Sequence, residues 1–170
     1  MQEKIYTTIV GSGSYIPEAD VDNKDFLGNS FYDTDGRPRE TPTRQTIDDL
    51  EKITCIKKRR YVKDDLVTSD IGYMAALDAL FSSGIDRESL DYIIVAHNFG
   101  DVASDDRRTD QVPSLGSKIK SYLGIKNKGC RAYDLLFGCP GWLQGVIQAD
   151  CFIRSGDSRR ALVIGDETLS

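Results

Sequence analysis

The stretch Tyr92-Ile-Ile-Val-Ala96 is apolar at every position. An unbroken run of that length suits a strand covered on both faces. A second run, Arg160-Ala-Leu-Val-Ile-Gly165, has the same character, and Arg131 to Phe137 is a third strand-like segment. Helix-like segments separate them. Strands joined through helices need crossover connections, and right-handed crossovers build a mostly parallel sheet with helices on both faces. With 170 residues, 39% apolar and 29% charged, the chain can bury a real core as one α/β domain.

Read in order, Lys4 to Val10 is rich in β-branched residues and predicts a buried first strand, ended by Gly11-Ser-Gly13. That glycine pair fits a structural turn or a phosphate cradle. Asp20 to Asp49 is polar, and residues 28–46 have the composition of an inserted surface loop. Thr46 to Ile53 predicts a short helix with Ile47, Leu50 and Ile53 on one face. The basic run Lys57-Lys-Arg-Arg60 fits a solvated edge or a contact to a phosphorylated ligand.

Thr68-Ser-Asp70 supplies cap chemistry for a helix to about Ser83, with Ile71, Met74, Ala75 and Asp78 on one stripe, widened by Leu77, Leu80 and Phe81. His97 and Asn98 follow the apolar strand, at the end where open α/β sheets bind ligands. His97 there is a base candidate or a partner for a loop. A polar loop, Gly100 to Val112, contains Arg107-Arg108, and a helix starting at Pro113 runs to Leu123. Asp134 is an acid among apolar neighbours and needs a partner.

Cys139 sits in Gly138-Cys-Pro-Gly141, between the strand ending at Phe137 and a helix from Trp142 to Ser155. A cysteine at such a turn lies near the first N–H groups of the helix, whose partial positive charge favours a thiolate. Pro140 fits the first helical position. Gly138 and Gly141 permit an unusual backbone and the close approach of a bound group. Cys139 is therefore either a presented nucleophile or a small buried apolar residue. The helix after it is apolar on most sides and predicts burial, with Gly145 and Ala149 allowing another backbone to pack closely.

The net charge of −5 argues against nucleic acid as the main partner. No apolar run has the length of a membrane span. The N-terminus carries no signal-peptide apolar core. Cys55, Cys130, Cys139 and Cys151 show no metal-like spacing with the single His97, so no metal is expected, and reduced thiols fit a cytoplasmic protein.

Several ordered pieces of the chain resemble β-ketoacyl-acyl carrier protein synthase III of the thiolase superfamily. They are Ile9 to Pro17, Ile56 with Arg59, Asp70 with Ala75-Ala76 and Leu80, Ile93 to Ala96, Pro113-Ser114, Leu123-Gly124, Tyr133-Asp134 with Gly138 to Gly141, and Ala161 to Gly165 with Glu167. The resemblance implies an N-terminal thiolase-like half spanning residues 1–170, without the C-terminal half that holds the family's catalytic His and Asn. It implies a condensing acyltransferase of fatty acid biosynthesis that makes a β-ketoacyl-acyl carrier protein from acyl-CoA and malonyl-acyl carrier protein. Cys139 would carry the acyl group, and its backbone N–H would serve the oxyanion. The coenzyme A thioester is substrate, and no further cofactor is implied. Val112 matches a position that reaches the partner's acyl pocket across a homodimer formed through strand 131–137. Family members have a small residue where Pro140 stands, and a Gly-Ile dipeptide where Cys55-Ile56 stands. His97 is not at the position of the family's catalytic His. The alternatives are a polyketide, alkyl-quinolone or 3-hydroxy-3-methylglutaryl-type synthase, and an inactive dimerising half.

Overall fold

The computed structural model describes residues 5–105 and 108–168. The chain separates into two compact units, one of residues Ile16–Lys63 and one comprising the remainder. Lys4 and Arg107, included in the expected first strand and the basic pair, lie outside the described residues.

In the Ile16–Lys63 unit, β1 (Ala19–Asp22) leads into a 3-10 helix (Asn23–Gly28), followed by α1 (Thr43–Thr54) and β2 (Lys58–Tyr61). β1 and β2 pair antiparallel, which sets Asp20 opposite Arg60, and the two form an ion pair at 2.8 Å. The basic run is thus largely strand. Arg59 donates to Asn23 Oδ1 at 2.6 Å and lies over the Phe26 ring. Two of its four cations are already engaged within the unit, which favours the solvated-edge reading. Helix α1 begins three residues before the expected Thr46. Ile47 is buried, but Leu50 is partly exposed and Ile53 is 80% exposed, so the expected apolar face is only partly used.

The end of α1 explains the Cys55 position. Cys55 has φ 57° and ψ 17°, a left-handed conformation, and its N–H donates to Glu51 O at 2.7 Å. A Cβ in that conformation crowds the following carbonyl, at a cost of about 1–2 kcal/mol that glycine escapes. Cys55→Gly is expected to stabilise the protein by about 1 kcal/mol, once glycine's larger unfolded-state entropy is allowed for. Chemical denaturation checks this; a loss of stability contradicts it.

In the other unit the sheet has three strands, β3 (Tyr92–His97), β6 (Arg131–Leu136) and β7 (Ala161–Gly165), in the order β6-β3-β7 and all parallel. The intervening β4 (Asp101–Val102) and β5 (Thr109–Asp110) make a small antiparallel pair. Helices α2 (Thr68–Ser83) and α3 (Leu115–Tyr122) cover one face, and α4 (Gly141–Ser155) covers the other. Strand alternation sends Ile93 and Val95 to the α2/α3 side with Leu115, Ile119 and Ile164, while Ile94 meets Ala149 on the α4 side. The chain steps from β3 to one edge through α3, then back across to the other edge through α4. Right-handed crossovers in opposite directions put the helices on opposite faces.

The structure departs from the sequence pattern at several elements. Residues 5–10 form no strand. They are largely exposed, and the chain after them lies along α2. Ser12 N–H donates to Ser82 Oγ at 3.0 Å and Ser14 N–H to Asp78 Oδ2 at 2.9 Å. A Cβ on Gly13 would lie 2.1 Å from the Ala79 nitrogen, so the glycine serves close packing on α2 and not a phosphate. Ala161–Gly165 is accordingly the third strand of the sheet. On α2 the buried residues are Thr68, Ser69, Ile71, Gly72 and Ala76, while Phe81 is 89% exposed. Helix α3 starts at Leu115, after Ser114 caps it by accepting from Ser117 N–H at 3.1 Å, so Pro113 precedes the helix. Helix α4 is not enclosed. Gly141, Gly145 and Ala149 are its buried residues, and Trp142, Leu143 and Ile147 are about half exposed, because one sheet covers one side of a helix. A Cβ on Gly145 would lie 2.7 Å from Val163 Cγ1, so its close contact is to sheet side chains and not to another backbone.

Candidate active site at the carboxyl ends of the parallel strands

Strand β6 ends at Leu136, and the Phe137 N–H still donates to His97 O at 3.2 Å. The chain then turns. Gly141 N–H donates to Gly138 O at 2.8 Å, and Gln144 N–H donates to Pro140 O at 3.0 Å to begin α4. Cys139 lies inside that turn and is exposed. It is neither enclosed in the core nor remote from the helix. Pro140 occupies the cap position, one residue earlier than expected. The positive end of a 15-residue helix therefore begins just beyond the thiol.

The flanking glycines act differently from one another. Neither is among the residues with positive φ, so no unusual backbone is involved. A Cβ on Gly141 would lie 2.9 Å from Ala96 Cβ, so glycine lets the start of α4 approach β3. A Cβ on Gly138 would meet nothing nearer than Asn98 Oδ1, at 4.0 Å. Asn98 thus stands beside the turn that carries the cysteine.

Beneath this turn is a buried polar bracket. His97 and Asp134 share a face of the sheet, since Val95 pairs with Asp134 and His97 lies two residues further on. His97 Nε2 lies 3.0 Å from Asp134 Oδ2, and Gly100 N–H donates to His97 Nδ1 at 2.9 Å. An Nδ1 that accepts leaves the proton on Nε2, which donates to Asp134. Asp134 also accepts from Leu115 N–H at 2.7 Å and Gly116 N–H at 2.8 Å, capping the start of α3. The expected partner for Asp134 is therefore a helix terminus and a histidine together. His97, whose side chain is wholly buried, has both ring nitrogens engaged.

A second acidic cluster lies beside it. Glu167 Oε2 accepts from Asn98 N–H at 2.7 Å. Asp101 accepts from Ser69 N–H at 2.7 Å, Ser69 Oγ–H at 2.8 Å and Lys118 Nζ at 2.8 Å, so it caps the start of α2. Thr68 Oγ1 donates to Gly100 O at 2.9 Å. Asp166 follows β7 and is buried. Its Oδ2 has no hydrogen-bond partner among the described residues. Burial, with Asp101 and Glu167 nearby, pushes its carboxyl up to about 8, and the backbone amides of Gly72 and Glu167 offset only part of this. A Cβ on Gly72 would lie 2.2 Å from Asp166 Oδ2, so a side chain at 72 and an acid at 166 exclude each other.

Of the residues singled out from sequence, His97 and Asp134 meet directly, and Asn98 stands beside Gly138, the residue before Cys139. Val112 stands apart, before α3, and is 86% exposed. Thr68 and Ser69 are expected from sequence only as cap residues of α2, and Asp101, Lys118 and Asp166 carry no sequence signal beyond their place after a strand end or on a helix. Cys130 is buried, and burial pushes its thiol up, so it does not compete with Cys139 as a nucleophile. Among the described residues, no cluster of His, Cys, Asp and Glu is arranged to hold a metal ion. The arrangement can present a thiol and backbone donors. It offers no free imidazole, because the chain's single histidine is engaged at both nitrogens.

The sequence model of the family described as 3-oxoacyl-[acyl-carrier-protein] synthase III matches residues 133–170. A β-ketoacyl-[acyl-carrier-protein] synthase III from Xanthomonas campestris pv. campestris (strain 8004) is 33% identical over 170 residues, covering 100% of this chain and 45% of the relative. The chain thus spans about half the length of the curated relatives it matches. The crystal structure of β-ketoacyl-[acyl carrier protein] synthase III from Thermus thermophilus superposes with a TM-score of 0.69 at 29% identity, over 94% of this chain and 42% of that one. A cysteine-to-serine variant of Xanthomonas campestris OleA, solved with lauric acid and lauroyl-CoA, gives a TM-score of 0.74 at 22% identity, over 99% of this chain and 45% of that one, and speaks to the fold. The fold is the thiolase-like α/β half that the resemblance implied.

Proposed function

Starting from this chain's correspondence to the N-terminal half of a β-ketoacyl-acyl carrier protein synthase III-like protein, we propose that the whole protein is a condensing acyltransferase with Cys139 as its nucleophile. The observation that carries this reading is the exposed Cys139 in the turn that opens α4. The Cys139 thiolate attacks the carbonyl of an acyl-CoA; the sulfur–carbon bond to Cys139 forms, and coenzyme A leaves as its thiolate. Malonyl-acyl carrier protein then loses carbon dioxide. The resulting carbanion attacks the acyl-cysteine, and the Cys139 thiolate is released with the β-ketoacyl product.

The cysteine's own N–H would stabilise the tetrahedral oxyanion at each stage. The His and Asn that stabilise the enolate-like oxygen belong to the second half in this reading. The engaged state of His97 supports that division, because this chain supplies no other imidazole. Strand β6, at one edge of the sheet, would pair with its twin in a homodimer, and Val112 would reach the partner's acyl pocket. Coenzyme A and acyl carrier protein are then the partners, and a cytoplasmic setting fits them.

Incubating the protein, both halves present, with acyl-CoA and malonyl-acyl carrier protein tests the reaction. A β-ketoacyl-acyl carrier protein two carbons longer than the acyl donor, with release of carbon dioxide, is the expected product. A condensation that joins two acyl chains, or hydrolysis to the free acid, would place the enzyme elsewhere in the superfamily.

A further inference from the structure

The loop from Asn98 to Asp101 is fixed at several points. Asn98 N–H is held by Glu167, Gly100 O accepts from Thr68, and Asp101 caps α2. Gly100 itself has φ 78°, and a Cβ there would lie 2.7 Å from Asp110 O, so the backbone has one tight path. Its buried N–H has His97 Nδ1 as acceptor. Loss of that acceptor would leave a buried donor unsatisfied, at about 1–3 kcal/mol, which the loop could relieve only by moving. Asp134 is in a different position, because two α3 amides remain to it without His97.

The geometry points to His97 as a positioning residue for the Cys139 turn. Its Nδ1 fixes Gly100, in the loop that begins with Asn98, whose Oδ1 stands beside Gly138 and 4.0 Å from where a Cβ there would lie. The main-chain carbonyl at the same position, which any residue would supply, accepts from Phe137 N–H at the strand end that enters the turn. The Nε2–Asp134 bond holds the ring so that Nδ1 faces Gly100. This inference concerns how Cys139 meets its acyl donor, so it rests on the reading of Cys139 as nucleophile.

Two variants of the protein with both halves separate the ring's two bonds. In His97→Asn, Oδ1 reaches the Gly100 amide and the bond to Asp134 is lost. In His97→Gln, the side-chain amide reaches Asp134 and Gly100 loses its acceptor. Hydrogen exchange at residues 98–101 and 137–141 and acylation of Cys139 by acyl-CoA are measured for both. Alkylation by iodoacetamide, a small reagent with little need of orientation, is the control.

His97→Asn is expected to stay within about threefold of the native protein in every readout. His97→Gln is expected to exchange at least about tenfold faster in the two segments and to acylate about 10- to 100-fold more slowly, with alkylation within about threefold. Any other pattern, including two variants that behave alike, overturns the positioning role. If the native protein fails to acylate at all, the nucleophile reading falls separately, and the exchange comparison still decides whether His97 holds the turn.

Discussion

Replacing Asp166 by asparagine is expected to make the protein more stable in alkaline solution and to leave it nearly unchanged in acid. Asp166 is buried after β7, with Asp101 and Glu167 nearby, and its carboxyl is pushed up to about 8. In the unfolded chain the same carboxyl loses its proton near about pH 4. Between about pH 4 and pH 8 the folded state therefore keeps a proton that the unfolded state has lost. Stability from this group is fully present below about pH 4, falls as pH rises, and levels off above about pH 8. A shift of that size corresponds to an upper bound of about 5–6 kcal/mol across the window. The asparagine variant carries no such proton. Its denaturation midpoint in urea is expected to exceed the native one clearly at pH 9 and to match it near pH 4.5. Parallel pH profiles for the two proteins would contradict the placement of Asp166.

Much of the sheet was legible because β3 and β7 are apolar on both faces, and only a buried strand needs that. The turn at Cys139 was legible for a related reason: a strand-like run meets a helix-like run with Gly, Cys, Pro and Gly between them. The N-terminal run was not legible. Its β-branched residues suit a strand, but composition does not say which edge is open to receive one, and the close fit of Gly13 to α2 decided its path instead. Helix α4 misled for a similar reason. Its apolar surface states what would favour burial, while the one sheet beside it covers only the Gly145 side.

The polar site was only half visible. His97 and Asp134 were each singled out, yet their meeting depends on the parallel register of β3 with β6. Asp101 with Ser69, and Asp166 with Gly72, join residues far apart in sequence and carry no local spacing to reveal them. The Cys55 position was visible as a departure from the Gly-Ile pattern. Its physical content, a left-handed helix end, required the backbone.

Removing the sulfur of Cys139 is expected to have the largest effect on activity. Among this chain's cysteines Cys139 alone is so presented: Cys130 is buried, and Cys55 and Cys151 lack the strand-to-helix turn. Cys139→Ala should lower condensation by at least about 10³-fold while leaving the fold intact, since an exposed side chain contributes little to packing. The most direct measurement is the mass of the peptide containing Cys139 after the full protein is mixed with acyl-CoA in the absence of malonyl-acyl carrier protein. The account predicts that this peptide gains the mass of the acyl group in native protein and not in Cys139→Ala. An unmodified Cys139 in the native protein, or an acyl group found on another residue, would contradict it.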